Sequence, residues 1–279
     1  AVAVTGFVTV AQADPEKYIL VSHAPDSDSW WNTIKNGIAL AAEQMDVEVE
    51  YRNPPTGDLA DMARIIEQAA ASGPTGIVII MNSGTPEQAR ELGALMYVGQ
   101  PEYDAGLAAG QRAKGDGVAS FLCVNHYISS PSSTQRCQGF ADGLGVELGN
   151  QMIDSGQDPA EIKNRVMAYL SANPDTDAIL TLGPTSADPT LLAVEENGTA
   201  GDIYFGTFDL GDEIVKGIKA GTIAWGIDQQ PFLQAYLPVV VLTNYHRYGV
   251  LPGNNINSGP GFVTADGLEL VEKYAGEYR

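Results

Sequence analysis

Short apolar runs and helical stripes alternate along this chain. Residues 18–22 (YILVS) form a compact apolar run suited to a buried strand. Trp31, Ile34, Ile38, Ala41 and Met45 follow at spacings of 3, 4, 3 and 4, which predicts an amphipathic helix with Asp28 or Ser29 as N-cap. Residues 47–51 (VEVEY) alternate as a strand does. Leu59, Met62, Ile65, Ile66 and Ala69 make a second helical stripe, closed by Ser72 and Gly73, and residues 76–80 (GIVII) predict another buried strand. Strand, helix, strand, helix, strand predicts parallel βαβ units.

The alternation returns in the second half. Strands are predicted at 118–124, 177–182, 203–208 and 222–227, and helices at 134–148, 159–171, 187–197, 213–219 and 232–247. No low-complexity linker divides the halves. The expected fold class is therefore α/β, with two parallel-sheet lobes facing each other across a cleft.

Length and composition agree with that picture. The chain has 279 residues, of which 44% are apolar. That suits two domains of roughly 100–150 residues, each with its own core. No apolar run is long enough to span a bilayer. Fifteen Lys and Arg against 35 Asp and Glu give a net charge of −20, which disfavours binding to nucleic acid or an anionic membrane. Two cysteines, Cys123 and Cys137, are too few for a disulfide scaffold. They lie on adjacent predicted βα elements, where they are either bonded or two buried thiols.

Residues 1–13 (AVAVTGFVTVAQA) are uncharged and end in the small-x-small pattern Ala11-Gln12-Ala13. They are read as the remnant of a secretory signal peptide, which would place the mature protein outside the cytoplasm; an N-terminal strand is the alternative.

Parallel sheets bind ligands beyond the carboxyl ends of their strands. There the chain carries Asp28, Trp30 and Trp31 after the first strand, Asn82 after the third, Arg136 opening a helix, Asp209 after Phe208, and Gln229 after residue 227. Planar polar groups can serve neighbouring hydroxyls, Arg offers a rigid fork, and aromatic rings cover the C–H face of a sugar. Each also has a structural alternative. Either tryptophan could be core, Asp209 a helix cap, Asn82 a turn residue, Arg136 a surface ion-pair member, and Gln229 a solvated loop residue. His23, His126 and His246 form no metal-binding spacing, and a loop histidine such as His126 is more often solvated than ligating. No nucleophile elbow, phosphate loop or dinucleotide fingerprint occurs. No metal, cofactor or catalysis is expected.

At these residues the chain resembles the type I periplasmic sugar-binding proteins, the ribose-binding-like receptors of bacterial ABC importers. The resemblance runs from about Tyr18 to Phe262. It is carried by Ser29-Trp30-Trp31 with Lys35-Asn36-Gly37, by Arg136-Cys137-Gln138-Gly139-Phe140, by Gly206-Thr207-Phe208-Asp209, and by Asp228-Gln229-Gln230-Pro231. It implies a three-strand hinge, with crossings near 100–101, 229–230 and 258–259. The lobes would be residues 14–100 plus 230–258 and residues 101–229 plus 259–279. Asp28, Trp30, Trp31 and Asn82 would line the first lobe, Arg136 and Asp209 the second, and Gln229 the hinge. Hinge closure would trap a small neutral sugar or polyol, and a membrane permease would recognise the closed, monomeric receptor in the periplasm.

Two departures change the expectation. Asn82-Ser83 stands where the family usually has Asp-Arg, and Gly183 where it usually has a polar residue. Another pentose, a sugar alcohol or a cyclitol then fits as well as ribose. In addition, Ile80 runs directly into Met81-Asn82-Ser83, although a parallel connection needs a dozen residues or more. One βα unit is expected to be missing from the N-terminal lobe. The same fold serves as the ligand-sensing domain of lactose-repressor-like regulators, a reading that needs a helix-turn-helix before Tyr18. A carbohydrate hydrolase using Asp28 and Asp209 is the remaining alternative.

Overall fold

The computed structural model of the protein describes residues 15–23, 30–80 and 86–279. The leader-like segment 1–13, Asp28, Ser29 and Asn82 lie outside these residues.

The first sheet is parallel, in the order β2-β1-β3, from β1 (Lys17–Val21), β2 (Glu48–Arg52) and β3 (Gly76–Ile79). Side chains of a strand alternate between faces. Leu20 therefore packs with Trp31, Ile34, Ile38 and Ala41 of α1 (Trp31–Met45) and with Ala235 and Val239 of α9 (Pro231–Tyr248). Ile19 and Val21 pack on the other face with Met62 and Ala69 of α2 (Leu59–Ala71). Asp58 caps α2, its carboxylate accepting from the Ala60 and Asp61 amides at 2.7 and 3.0 Å.

The second sheet has the order β11-β9-β8-β7-β5-β6, from β5 (Phe121–Asn125), β6 (Met152–Asp154), β7 (Ala178–Thr181), β8 (Tyr204–Phe208), β9 (Trp225–Asp228) and β11 (Gly261–Val263). All its pairs are parallel except β11 with β9, which is antiparallel. Leu122 and Val124 face one core, with α6 (Pro159–Ala172), α7 (Pro184–Glu196) and α8 (Asp212–Ala220); Phe121 and Cys123 face the other, with α4 (Glu102–Gly115) and α5 (Pro131–Leu144). The Cys123–Cys137 disulfide ties β5 to α5.

Helix α4 carries no large apolar stripe, so the hydrophobic period predicts no helix there. Its buried face is Ala105, Gly106, Ala109, Gly110 and Ala113. These small residues let it meet α5 backbone to backbone. A Cβ on Gly106 would lie 2.3 Å from the Arg136 carbonyl oxygen, and one on Gly139 would lie 2.2 Å from that of Tyr103. The helix expected over 134–148 is also shifted. It begins at Pro131 and ends at Leu144, where Gly145, at φ +81°, caps it.

The N-terminal lobe is short of strands. Beyond β3 the chain passes through α3 (Pro86–Glu91) to β4 (Val98–Gly99), which among the described residues pairs with β10 (Ile256–Asn257) alone, as a separate two-stranded piece. A cavity of about 750 Å³ separates them. Its walls include the length of β3, residues 92–99, and Val241, Leu242 and Tyr245 of α9. This slot stands where a βα unit would continue the sheet.

Candidate functional site

The facing strand ends bring polar groups together at the junction of the lobes. Arg136, from the second turn of α5, points into the second lobe with its side chain only 10% exposed. Its Nε and Nη2 donate to the two carboxylate oxygens of Glu102 at 2.7 and 2.9 Å, and Nη1 donates to the Leu182 carbonyl at 3.1 Å. The guanidinium lies over the Phe208 ring, 4.5 Å from its centroid. Burial works against its charge, but Glu102, and beyond it Asp209, more than offset this and hold the pKa above its ordinary value.

Asp209 leaves β8 in the left-handed region, at φ +62°. That conformation is costly for a non-glycine residue. The carboxylate accepts from Gln229 Nε2 at 2.5 Å, and Gln229 Oε1 accepts in turn from Gln234 Nε2 at 3.2 Å. Asp209 does not cap α8, whose N-cap is Gly211. Gln229 is not a solvated loop residue, being 5% exposed. Gly183 stands beside this carboxylate: a Cβ there would lie 3.2 Å from Asp209 Oδ2 and 3.7 Å from His126 Cε1. The glycine thus keeps open the space between the two side chains.

From the other lobe, Trp31 is 4% exposed and belongs to the core under α1. Its indole meets His23 edge-on at 5.0 Å and Trp30 edge-on at the same distance; Trp30 is half-buried. His23 in turn approaches Tyr127 of the second lobe, with ring centroids 6.2 Å apart. Tyr127 is fixed by its amide donating to Asn125 Oδ1 at 3.0 Å. The structure thus groups Arg136, Asp209 and Gln229, while Trp31 lies beside His23, which approaches Tyr127 of the second lobe.

Residue-by-residue reading passed over Glu102, His23 and Tyr127. Glu102 opens the helix that the pattern did not reveal, so nothing marked it as the partner of Arg136. His126 is half-buried, and its Nδ1 is 3.1 Å from Ser186 Oγ. Burial, with the Arg136 charge adding to it, lowers the His126 imidazole to about 4; burial does the same to His23. Both rings are neutral at pH 7. His23 Nδ1 is buried with no hydrogen-bond partner among the described residues.

The hinge side is a ladder of amides. Gln230, at φ +54°, donates from Nε2 to the Ser258 carbonyl at 2.5 Å, and Gln234 donates to Ser258 Oγ at 3.0 Å. Gln100 Nε2 donates to Glu102 Oε2 at 3.0 Å, so the same carboxylate serves both the hinge and Arg136. Among the described residues no group of His, Cys, Asp and Glu could hold a metal ion, and no helix is long and apolar enough to cross a membrane.

Comparison with known proteins gives a consistent result. Residues 86–248 match the periplasmic binding protein domain, beginning just past the site of the missing unit. The xylose/arabinose-binding protein XylF of Sulfolobus acidocaldarius is 24% identical, over 93% of this chain and 74% of its own length. A carbohydrate transporter from Acidothermus cellulolyticus 11B, solved in complex with myo-inositol, superposes with a TM-score of 0.85 at 28% identity, covering 95% of this chain and all of that one. A periplasmic sugar-binding protein of an ABC sugar transporter from Legionella pneumophila gives 0.76 at 26% identity, covering 88% of this chain and 99% of that one.

Proposed function

The chain belongs to the periplasmic binding protein domain family, and from that premise we propose that it is a periplasmic receptor delivering a small neutral sugar or polyol to the permease of an ABC importer. It acts as a monomer and carries out no catalysis. The lobes are residues 14–100 plus 230–258 and residues 101–229 plus 259–279. The three crossings near 100–101, 229–230 and 258–259 form the hinge, and ligand binding closes it.

The observation that carries this reading is the buried cluster of Arg136, Glu102, Asp209 and Gln229 at the strand ends. A polyol offers hydroxyls that both donate and accept, and this cluster holds acceptor carboxylates beside donor amides and a guanidinium. Its charge disfavours a sugar acid. The Arg136 fork already holds a carboxylate, Asp209 adds a second, and the neighbouring imidazoles are neutral. The likeness to the myo-inositol-bound transporter supports a cyclitol as the ligand, and the likeness to the xylose/arabinose-binding protein a pentose. In this reading Asp28, Trp30, Trp31 and Asn82 supply the first lobe's share, with the indoles covering the C–H face of the ring.

The test is a thermal-shift screen against pentoses, hexoses, alditols and inositols, with uronic and aldonic acids as controls. A ligand that binds the native state raises its melting temperature. The expected result is stabilisation by one neutral class and none by the acids. Stabilisation by the acids alone would refute the neutral-ligand reading. Release of sugar from glycosides on incubation would show a hydrolase instead.

A further inference from the structure

The segment after β11 does not stay with the lobe it starts in. The 3-10 turns at Ala265–Leu270 and Glu272–Tyr274 pack on the second lobe. Leu268 and Val271 are 4% exposed within its core, and Glu272 pairs with Lys219 of α8 at 2.8 Å. The chain then turns back, the Gly276 amide donating to the Arg279 carbonyl and the Tyr278 amide to the Tyr274 carbonyl, at 2.8 and 2.9 Å. This turn lands on the other lobe. Asn36 of α1 donates from Nδ2 to the Glu277 carbonyl at 2.8 Å, although the two residues are 241 apart in sequence. The Tyr278 ring packs on Phe232 at the start of α9, with centroids 5.6 Å apart, and Tyr274 backs it edge-on at 5.8 Å. Between these two footholds Arg279 Nη1 reaches Asp228 Oδ2 at 2.5 Å.

Asp228 sits at the second crossing. Its side chain is 3% exposed, and its other oxygen accepts from the Gln230 amide at 2.8 Å, holding the left-handed turn that follows Gln229. A buried carboxylate needs a partner, and Arg279 supplies its cation. Through Asp228 the segment therefore touches the turn that aims Gln229 at Asp209.

We propose that residues 274–279 form a strap across the hinge, rooted in the second lobe and fastened to α1 and α9 of the first, which holds the lobes in the arrangement seen here and keeps the turn at Gln229 in place. Tyr278 and Arg279 are positioning residues: they touch no part of the ligand cluster and act through Phe232 and Asp228. Tyr278 and Arg279 are each more than a third exposed. A contact of that kind is weak enough to release when the lobes swing apart, and strong enough to bias the balance between open and closed forms. Its effect on affinity rests on the receptor reading above. Its effect on lobe separation does not.

The experiment compares the full chain with Tyr278→Ala/Arg279→Ala and with Tyr278→Phe, which keeps the ring. Lobe separation is measured in the absence of ligand by small-angle scattering and by fluorescence transfer between dyes on the two lobes. Circular dichroism checks that each variant is folded. The strap predicts a wider separation in the double variant, none in Tyr278→Phe, and an affinity for the stabilising polyol reduced about tenfold through faster dissociation, the size expected from one aromatic contact and one half-exposed ion pair. Asn36→Ala, which leaves the segment itself intact, should shift the separation in the same direction. Unchanged separation in both Tyr278→Ala/Arg279→Ala and Asn36→Ala would overturn the strap, whatever happens to binding. Wider separation in a protein that binds no polyol would keep the strap and reject the receptor.

Discussion

Removing the Glu102 carboxylate, by Glu102→Ala, strands a buried cation. Glu102 and Arg136 are 12% and 10% exposed, and the variant loses three hydrogen bonds, two from Arg136 and one from Gln100. Exposed ion pairs are worth about 1 kcal/mol or less. Breaking a buried pair from one side costs about 3–5 kcal/mol, because the remaining charge has no partner. For a chain of this size about 2–4 °C accompanies each kcal/mol, so the melting temperature should fall by about 10 °C. The assay is urea and thermal unfolding followed by tryptophan fluorescence, since Trp225 lies in the second lobe's core and Trp31 in the first's. The loss should appear in the second lobe's transition. Replacing both partners, Glu102→Met with Arg136→Met, should recover most of the stability, because an apolar pair carries no unpaired charge. That double variant should still lose ligand binding, since the fork is gone. A loss below about 1 kcal/mol in Glu102→Ala would refute the reasoning, placing the pair in the class of surface contacts.

Three further outcomes follow from the structure. His23 and His126 are held near pKa 4 against an ordinary value of 6.5. The unfolded chain therefore takes up protons that the native state refuses. Stability is full above about pH 6.5 and falls as pH drops toward 4, by about 2 kcal/mol per ring between pH 7 and pH 5; a urea midpoint unchanged over that range would contradict the burial assigned to both rings. Gly110→Ala would put a Cβ 2.1 Å from the Phe140 carbonyl oxygen. Helices α4 and α5 must then separate, at about 3 kcal/mol, with Arg136 carried away from Glu102; a neutral effect on denaturation would show that the helices are not in backbone contact. Reducing the Cys123–Cys137 bond, whose closure spans 14 positions, should lower stability by about 3 kcal/mol, measured by the midpoint with and without reductant.

The sequence was informative wherever burial used large side chains. Helix α1 could be read from Trp31, Ile34, Ile38, Ala41 and Met45, of which all but Met45 lie on its buried face with Thr33 and Gly37. Helix α4 could not, because its buried face is alanine and glycine, and the signal there is the four-residue spacing of Gly106 and Gly110 matched by Gly139 and Gly143. The two-residue strands β4 and β10 carry too few positions for any period to show. The missing βα unit was legible because a parallel crossover has a minimum length, which the step from Ile80 to Met81 cannot supply. The site divides in the same way. Asp209 and Gln229 follow strand ends and were visible from that rule, and Arg136 from its place in the helix after β5. Glu102 and His23 depend on which side chains meet in space. Trp31 shows the limit of composition: its residue type fits a sugar platform, and its 4% exposure also fits the core of the first lobe.

The most direct measurement is a crystal structure of the protein grown with the neutral sugar or polyol that stabilises it most. The account predicts the ligand between the lobes, within hydrogen-bonding distance of Arg136, Asp209 and Gln229 and against the indoles of Trp30 and Trp31. Ligand seated instead in the slot beside β3, with those residues untouched, would contradict it.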